Sequence, residues 1–378
     1  MFESLSHAAL QEYWWLIIAV LGGLLMMLTF VQGGQTLIYT LGKDERGRTL
    51  VVNALGRKWE LTFTTLVTFG GALFAAFPLF YATSFGGAYW AWIAILLCFV
   101  VQAVAYEFRR KAGNTFGPKT YEVFLYINGS LGVILLGVAV GTLFTGAPFT
   151  VDDRHLSHWA GPARGLEAAA VPFNVLLGLT WLALARLLAA LYFLRAVADD
   201  DVNARAARQV RLNAVIFLPL FAVVAVLLFT MDAAGYDPQT GAVVMLPHKH
   251  LDNLLALPLR ALIPLALGVA GVVFGIARGW RGGRARGAFW AAAGGTALVG
   301  IALFGLTALN DTAMYPSTAD LQSSLTLRNA SASHYTLTVM SYVSLTVPFV
   351  LAYIAYAWRQ MSRTPLSSEE IERDSASY

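Results

Sequence analysis

Charged residues are scarce in this chain. Asp, Glu, Lys and Arg make up 13% of its 378 residues, against 57% hydrophobic, and the mean hydropathy is +0.62. A soluble domain carries about 25% charged residues, so a water-exposed globular fold is excluded. Cysteine occurs once, at Cys98 in the middle of an apolar run. One thiol excludes an intrachain disulfide and any cysteine-cluster metal site, and leaves packing as its role. Histidine occurs six times, at positions 7, 155, 158, 248, 250 and 334, always in or beside the connections between apolar runs. Around His248–His250 the only nearby carboxylate is Asp252, too few ligands for a metal centre.

What is present is long apolar sequence. Runs of about 20 apolar residues are spanning helices, and about nine are predicted: Tyr13–Tyr39, Leu61–Thr83, Ala88–Phe108, Tyr121–Phe144, Val171–Leu194, Leu212–Met231, Leu257–Ala277, Phe289–Leu309 and Tyr335–Trp358. The first has no preceding cation and is too long for a cleaved signal peptide, so it is expected to stay in the mature chain. The net charge of +4 is distributed by connection: about 20 cations follow the odd-numbered spans, and only Arg154, Arg164, Lys249 and Arg328 lie in the others. That bias puts the N-terminus outside and the C-terminus in the cytoplasm, which requires an odd number of spans. The stretch RGWRGGRAR, Arg278 to Arg286, resembles an RNA-binding segment, but it is one basic cytoplasmic loop among five, so no nucleic-acid partner is expected. An all-α polytopic membrane domain therefore covers residues 1–361, with 362–378 a polar, disordered cytoplasmic tail. Eight spans divide by spacing into two four-helix groups, Tyr13–Phe144 and Val171–Leu309, with the ninth outside them.

Ionisable groups at membrane depth are costly and are the first candidates for function. Glu60, Thr64 and Thr68 recur every four residues on one helix face. Either they carry protons with intervening water, or Glu60 favours the helix start and the threonines pack on a neighbour. Glu107 closes the third span beside Arg109 and Arg110, either accepting protons or pairing with those arginines. Arg186, surrounded by apolar residues, either binds a carboxylate, lipid phosphate or haem propionate, or snorkels to the interface. A haem inside a helix bundle takes His, Met or Cys from the helices. Met26, Met27 and Met340 are at span depth but read as core filler, so no axial haem ligand is expected from this chain.

The segment Leu41 to Pro78, with Trp59-Glu60 followed by GGALFAAFP, resembles the second-helix region of subunit II of the cytochrome bd quinol oxidases. FYATSFGGAY, VAYEFRRK, GAPFTVD and SSLTLRNASASHYTLTVM resemble further segments in the same order, covering most of the chain. The resemblance implies nine spans as two four-helix bundles plus a peripheral helix. It also implies a complex that oxidises quinol and reduces dioxygen to water, in the bacterial inner membrane. The partner would be a homologous larger subunit I holding haems b558, b595 and d; a small single-span accessory subunit and a bound structural quinone occur in some members. This subunit would then serve assembly, haem retention and proton supply. The sequence departs from the family pattern at several of its polar positions. The tryptophan–aspartate pair is Trp59-Glu60, the first-helix acid is missing at Thr29–Val31 with Gln32 and Gln35 nearest, and the arginine before the third-helix acid is Gln102, with Glu107 retained.

Two other readings fit the composition. A secondary transporter would use a midplane site at a broken helix, for which Arg186 and the Gly33-Gly34 pair are the candidates. A membrane anchor of a different quinone-linked enzyme would differ only in its partner.

Overall fold

The computed structural model describes residues 1–111, 113–282 and 287–367. The tail from residue 368 and the Arg284 and Arg286 cations of the glycine-rich loop lie outside the described residues. Among the described residues, eight helices are long and apolar enough to cross a membrane. They are α1 (His7–Gln35), α4 (Tyr89–Phe108), α5 (Pro118–Thr145), α6 (Pro172–Ala196), α7 (Asp200–Thr230), α9 (Pro258–Trp280), α10 (Ala288–Ala308) and α11 (His334–Met361). The remaining expected span is interrupted. Helix α3 (Trp59–Ala76) stops at Phe77, because the residue before Pro78 is pushed out of helical geometry, and resumes through Pro78–Tyr81 and a π-helical turn at Ala82–Gly86. It lies along α1, and Ala332 N donates to Ala76 O (2.8 Å) near its far end, so α3 reaches from the basic connections to the opposite loops.

Helices α1, α3, α4 and α5 form one group and α6, α7, α9 and α10 the other, joined where α1 meets α10 and α6 and where α5 meets α6. Small residues permit the closest crossings. A Cβ on Gly33 would lie 2.2 Å from the Ala185 carbonyl, so α1 and α6 touch backbone to backbone there. Glycines 268, 271 and 275 of α9 similarly meet Gly295 and the Ala288–Ala292 turn of α10. Helix α11 lies outside both groups: Trp14 Nε1 donates to Leu337 O (3.2 Å) and Ser341 Oγ (3.0 Å), while Phe349 and Tyr353 on its outer side are more than 70% exposed. This is the polytopic all-α arrangement expected from the sequence.

Two features depart from the linear reading. The first basic connection is not a loop but an amphipathic helix, α2 (Glu45–Gly56), started by Asp44, whose carboxylate accepts from Gly47 N (2.7 Å), and buried from Thr49 to Gly56. At the opposite end the long connections fold on one another. Strands β1 (Phe149–Val151) and β2 (Ser157–Trp159) pair, as do β3 (Ala233–Tyr236) and β4 (Val243–Leu246). Short helix α8 (Lys249–Ala256) lies beneath them, and Trp159 Nε1 ties β2 to Thr83 O at 3.0 Å.

Candidate functional site

Glu60, Thr64 and Thr68 lie on one face of α3, and that face is exposed along its length, together with Val67 (57%), Gly71 and Phe74 (61%). Thr68 Oγ1 donates to Thr64 O (2.8 Å), one turn back on its own helix. Thr62 takes the opposite face, buried, and donates to Leu28 O of α1 (3.0 Å). The stripe is thus a polar track on the outside of this chain rather than an internal channel.

Glu107 is 58% exposed and pairs with Lys111 (2.9 Å). Its expected pairing with Arg109 is replaced for a geometric reason: residues two apart on a helix point to different sides, whereas residues four apart face each other. Arg109 turns inward instead. Its Nη2 and Nε donate to Glu122 Oε1 of α5 at 2.7 and 3.1 Å, both side chains being 1% exposed, and Nη2 also reaches Thr49 Oγ1 of α2 (3.1 Å). Arg48 of α2 completes the cluster, 3.2 Å from Glu122 Oε2. One carboxylate between two guanidinium groups therefore fastens α2 across α4 and α5. Burial and the neighbouring Glu122 carboxylate hold the Tyr39 phenol above its usual range.

From this cluster a buried polar seam runs inward. Gln102, Tyr106 and Arg109 recur on one face of α4. Gln102 Oε1 accepts from Gln32 Nε2 (2.8 Å) and Gln35 Nε2 (2.5 Å), and Gln35 Nε2 also reaches Tyr106 Oη (3.2 Å). Trp59 stacks on the Tyr106 ring (15° between planes), closing the seam on the α3 side and leaving Glu60 outside. Gln32 Oε1, Gln35 Oε1, Gln102 Nε2 and both Asn128 amide atoms are buried without a partner among the described residues, the condition under which ordered water is held. The seam is neutral, built of amides and one phenol.

Arg186 neither snorkels nor points outward. Its Nη1 donates to Thr36 Oγ1 of α1 (2.7 Å) and its Nε to Asn213 Oδ1 of α7 (3.0 Å), linking three helices. The Gly33-Gly34 pair leaves no opening, since Ala185 fills one side and Leu55 the other. Among the described residues no three His, Cys, Asp or Glu side chains gather as a metal site. His250 is 1% exposed in α8, edge-on to Phe144, and burial pushes its pKa down to about 4. Linear reading missed Glu122, and it placed His250 and Lys58 in connections without showing that they are buried. The i+4 spacing that sends Glu107 to Lys111 was a signal that Arg109 needed another acid; nothing local marks His250 as buried.

An apolar chamber of about 150 Å³ opens between α1, α6, α7, α9 and α10, walled by Met26, Trp181, Phe217, Phe221, Val272 and Leu303 without a charged group.

Residues 10–361 match the family described as Cytochrome bd terminal oxidase subunit II. Relatives include the cytochrome bd-I ubiquinol oxidase subunit 2 of Escherichia coli strain K12, 30% identical with 99% of each chain covered. The cytochrome bd ubiquinol oxidase subunit 2 of Bacillus subtilis strain 168 is 27% identical, with 95% of this chain and 99% of that one covered. A chain of the bd oxidase structure from Geobacillus thermodenitrificans shares the fold, with TM-score 0.65 and 16% identity over 93% of this chain and 98% of that one.

Proposed function

Because this chain belongs to the cytochrome bd terminal oxidase subunit II family, we propose that it is the subunit of a quinol:dioxygen oxidoreductase that holds no haem and supports the one that does. The observation that carries the reading is the family match over nearly the whole chain, matched by relatives named as quinol oxidase subunits. The larger subunit I is the partner, and the complex lies in the inner membrane with the basic connections and the C-terminus in the cytoplasm.

Four histidines support leaving axial haem ligation to the partner: His7, His158 and His334 are engaged by Ala332 O, Asp152 and Leu5 O among the terminal loops, and the buried His250 sits in α8 rather than in a span. Haems b558, b595 and d therefore belong to the partner in this reading. The role of this chain is to seat that partner, retain its haems and supply protons. The exposed Glu60–Thr64–Thr68 stripe favours α3 as the contact face, because a polar track at membrane depth gains by facing protein rather than lipid. Glu60 then stands at the cytoplasmic edge of the subunit interface, where a carboxylate can collect protons, with the threonine hydroxyls and interface water behind it. Glu107, on the same side and paired with Lys111, is a second collecting group. Arg186 braces α1, α6 and α7 within this chain. At about 150 Å³ the apolar chamber is smaller than a pocket for a whole quinone and has room only for a short stretch of a polyprenyl tail.

The test is Glu60→Gln in the purified complex. Oxygen reduction with quinol as donor should fall while haem content and subunit ratio stay at wild-type values. Unchanged turnover would leave the stripe as a packing seam only.

A further inference from the structure

At the basic end, α6, α10 and α11 enclose a cleft of about 880 Å³ lined by Arg195, Trp290, Tyr356, Trp358, Arg359 and Arg363. A second cavity of about 410 Å³ adjoins it, sharing Arg195, Trp290 and Arg363 and adding Arg57 and Tyr192. Among the described residues, no Asp or Glu lines either. Behind the wall, Lys58 is 1% exposed, and its Nζ sits 4.6 Å from the Trp358 ring centroid with no hydrogen-bond acceptor among the described residues. Burial, with the charges of Arg57 and Arg195, pushes its pKa down to about 8. Buried cations are ordinarily paired, so a buried ammonium facing aromatic rings and arginines marks a place built for an anion, and none of the described residues supplies one.

The surroundings identify its chemistry. Arg195 lies over the face of Trp290 (5.3 Å), a stacked arrangement that leaves guanidinium edges to donate to a tetrahedral oxyanion. Trp and Tyr beside arginine at a helix end form an interfacial layer. Below Tyr356 the same face of α11 continues as Tyr353 (71% exposed) and Phe349 (78%), an apolar strip leading towards the membrane interior. We propose that the cleft binds the phosphate headgroup of an anionic phospholipid, with Arg195 and Arg363 on the phosphodiester and an acyl chain along Tyr356, Tyr353 and Phe349. The site is separate from the α3 stripe and does not depend on how protons reach the haems.

The complex, purified with its partner subunit and stripped of lipid, is titrated by native mass spectrometry with phosphatidylglycerol, phosphatidylcholine and inorganic phosphate. Phosphatidylglycerol should bind more tightly than phosphatidylcholine. Losing one charge-assisted contact should weaken it roughly tenfold in Arg363→Gln, an exposed position that does not threaten folding, while Arg281→Gln outside the cleft should leave it unchanged. Equal affinity of Arg363→Gln and wild type would overturn the proposal. Inorganic phosphate competing as well as the lipid would assign the cleft to a soluble anion. A chain ending at Ser367 that alone binds phosphatidylglycerol would assign it to the chain's own acidic tail, with Glu369, Glu370, Glu372 and Asp374.

Discussion

Replacing Glu122 with glutamine should destabilise the protein more than any change on the α3 stripe. The carboxylate is 1% exposed and accepts two bonds from an equally buried Arg109, while Arg48 stands 3.2 Å from its other oxygen. Removing one partner of a buried ion pair costs about 3–5 kcal/mol, because the remaining charge stays desolvated and unpaired. Here the lower end, about 3 kcal/mol, is expected: Arg109 keeps Thr49 Oγ1, Arg48 is 17% exposed and can turn to water, and glutamine still accepts one bond. The double variant Glu122→Gln/Arg109→Gln removes both charges and should be more stable than the sum of its single variants predicts, with a coupling of about 2–3 kcal/mol. Fluorescence-detected size-exclusion thermostability of the four proteins closes the cycle. Single variants melting with wild type, or losses that simply add, would refute the cluster as the fastening of α2.

Other outcomes follow from separate sites. Below pH of about 6.5 the unfolded chain protonates the His250 imidazole while the folded chain refuses the proton until about pH 4, so stability should fall as pH drops through that window, by up to about 3 kcal/mol. His250→Phe should flatten that part of the melting-temperature profile, and an unchanged slope would place the titration elsewhere. Gly33→Leu collides with the Ala185 carbonyl and should abolish assembly, whereas Gly294→Ala, exposed on α10 with open space around it, should leave yield unchanged; similar yields for both would contradict the α1–α6 contact. In intact cells an impermeant thiol reagent should label Thr240→Cys in the β3–β4 turn and leave Lys111→Cys unlabelled until lysis, and the reverse pattern would invert the topology.

The spans were legible because bilayer thickness writes itself as apolar length and because cations gather in alternate connections. The break in α3 was not expected, since Leu61–Thr83 reads as one continuous span, although Pro78 is the residue that pushes Phe77 out of helical geometry. The fold of the connections was not legible: α2 is apolar only on the face that Val51, Val52 and Leu55 bury against the bundle, and its mean hydropathy hides that. Among candidate residues, the shared face of Glu60, Thr64 and Thr68 followed from fourfold spacing, but its exposure depends on which neighbours α3 has. Arg186 was visible as an oddity, yet its partners Thr36 and Asn213 lie 150 and 27 residues away in sequence. The glutamine seam joins α1 to α4 across about 70 residues, a pairing that only the tertiary packing creates.

The central claim is most directly tested by a reduced-minus-oxidised absorption spectrum of the tagged chain, purified in mild detergent from its native host with whatever accompanies it. Bands of b-type haem and of the chlorin haem d, in a preparation containing a second, larger membrane subunit, are the expected result. A preparation without haem and without a partner, under conditions shown not to dissociate membrane complexes, would contradict the oxidase assignment.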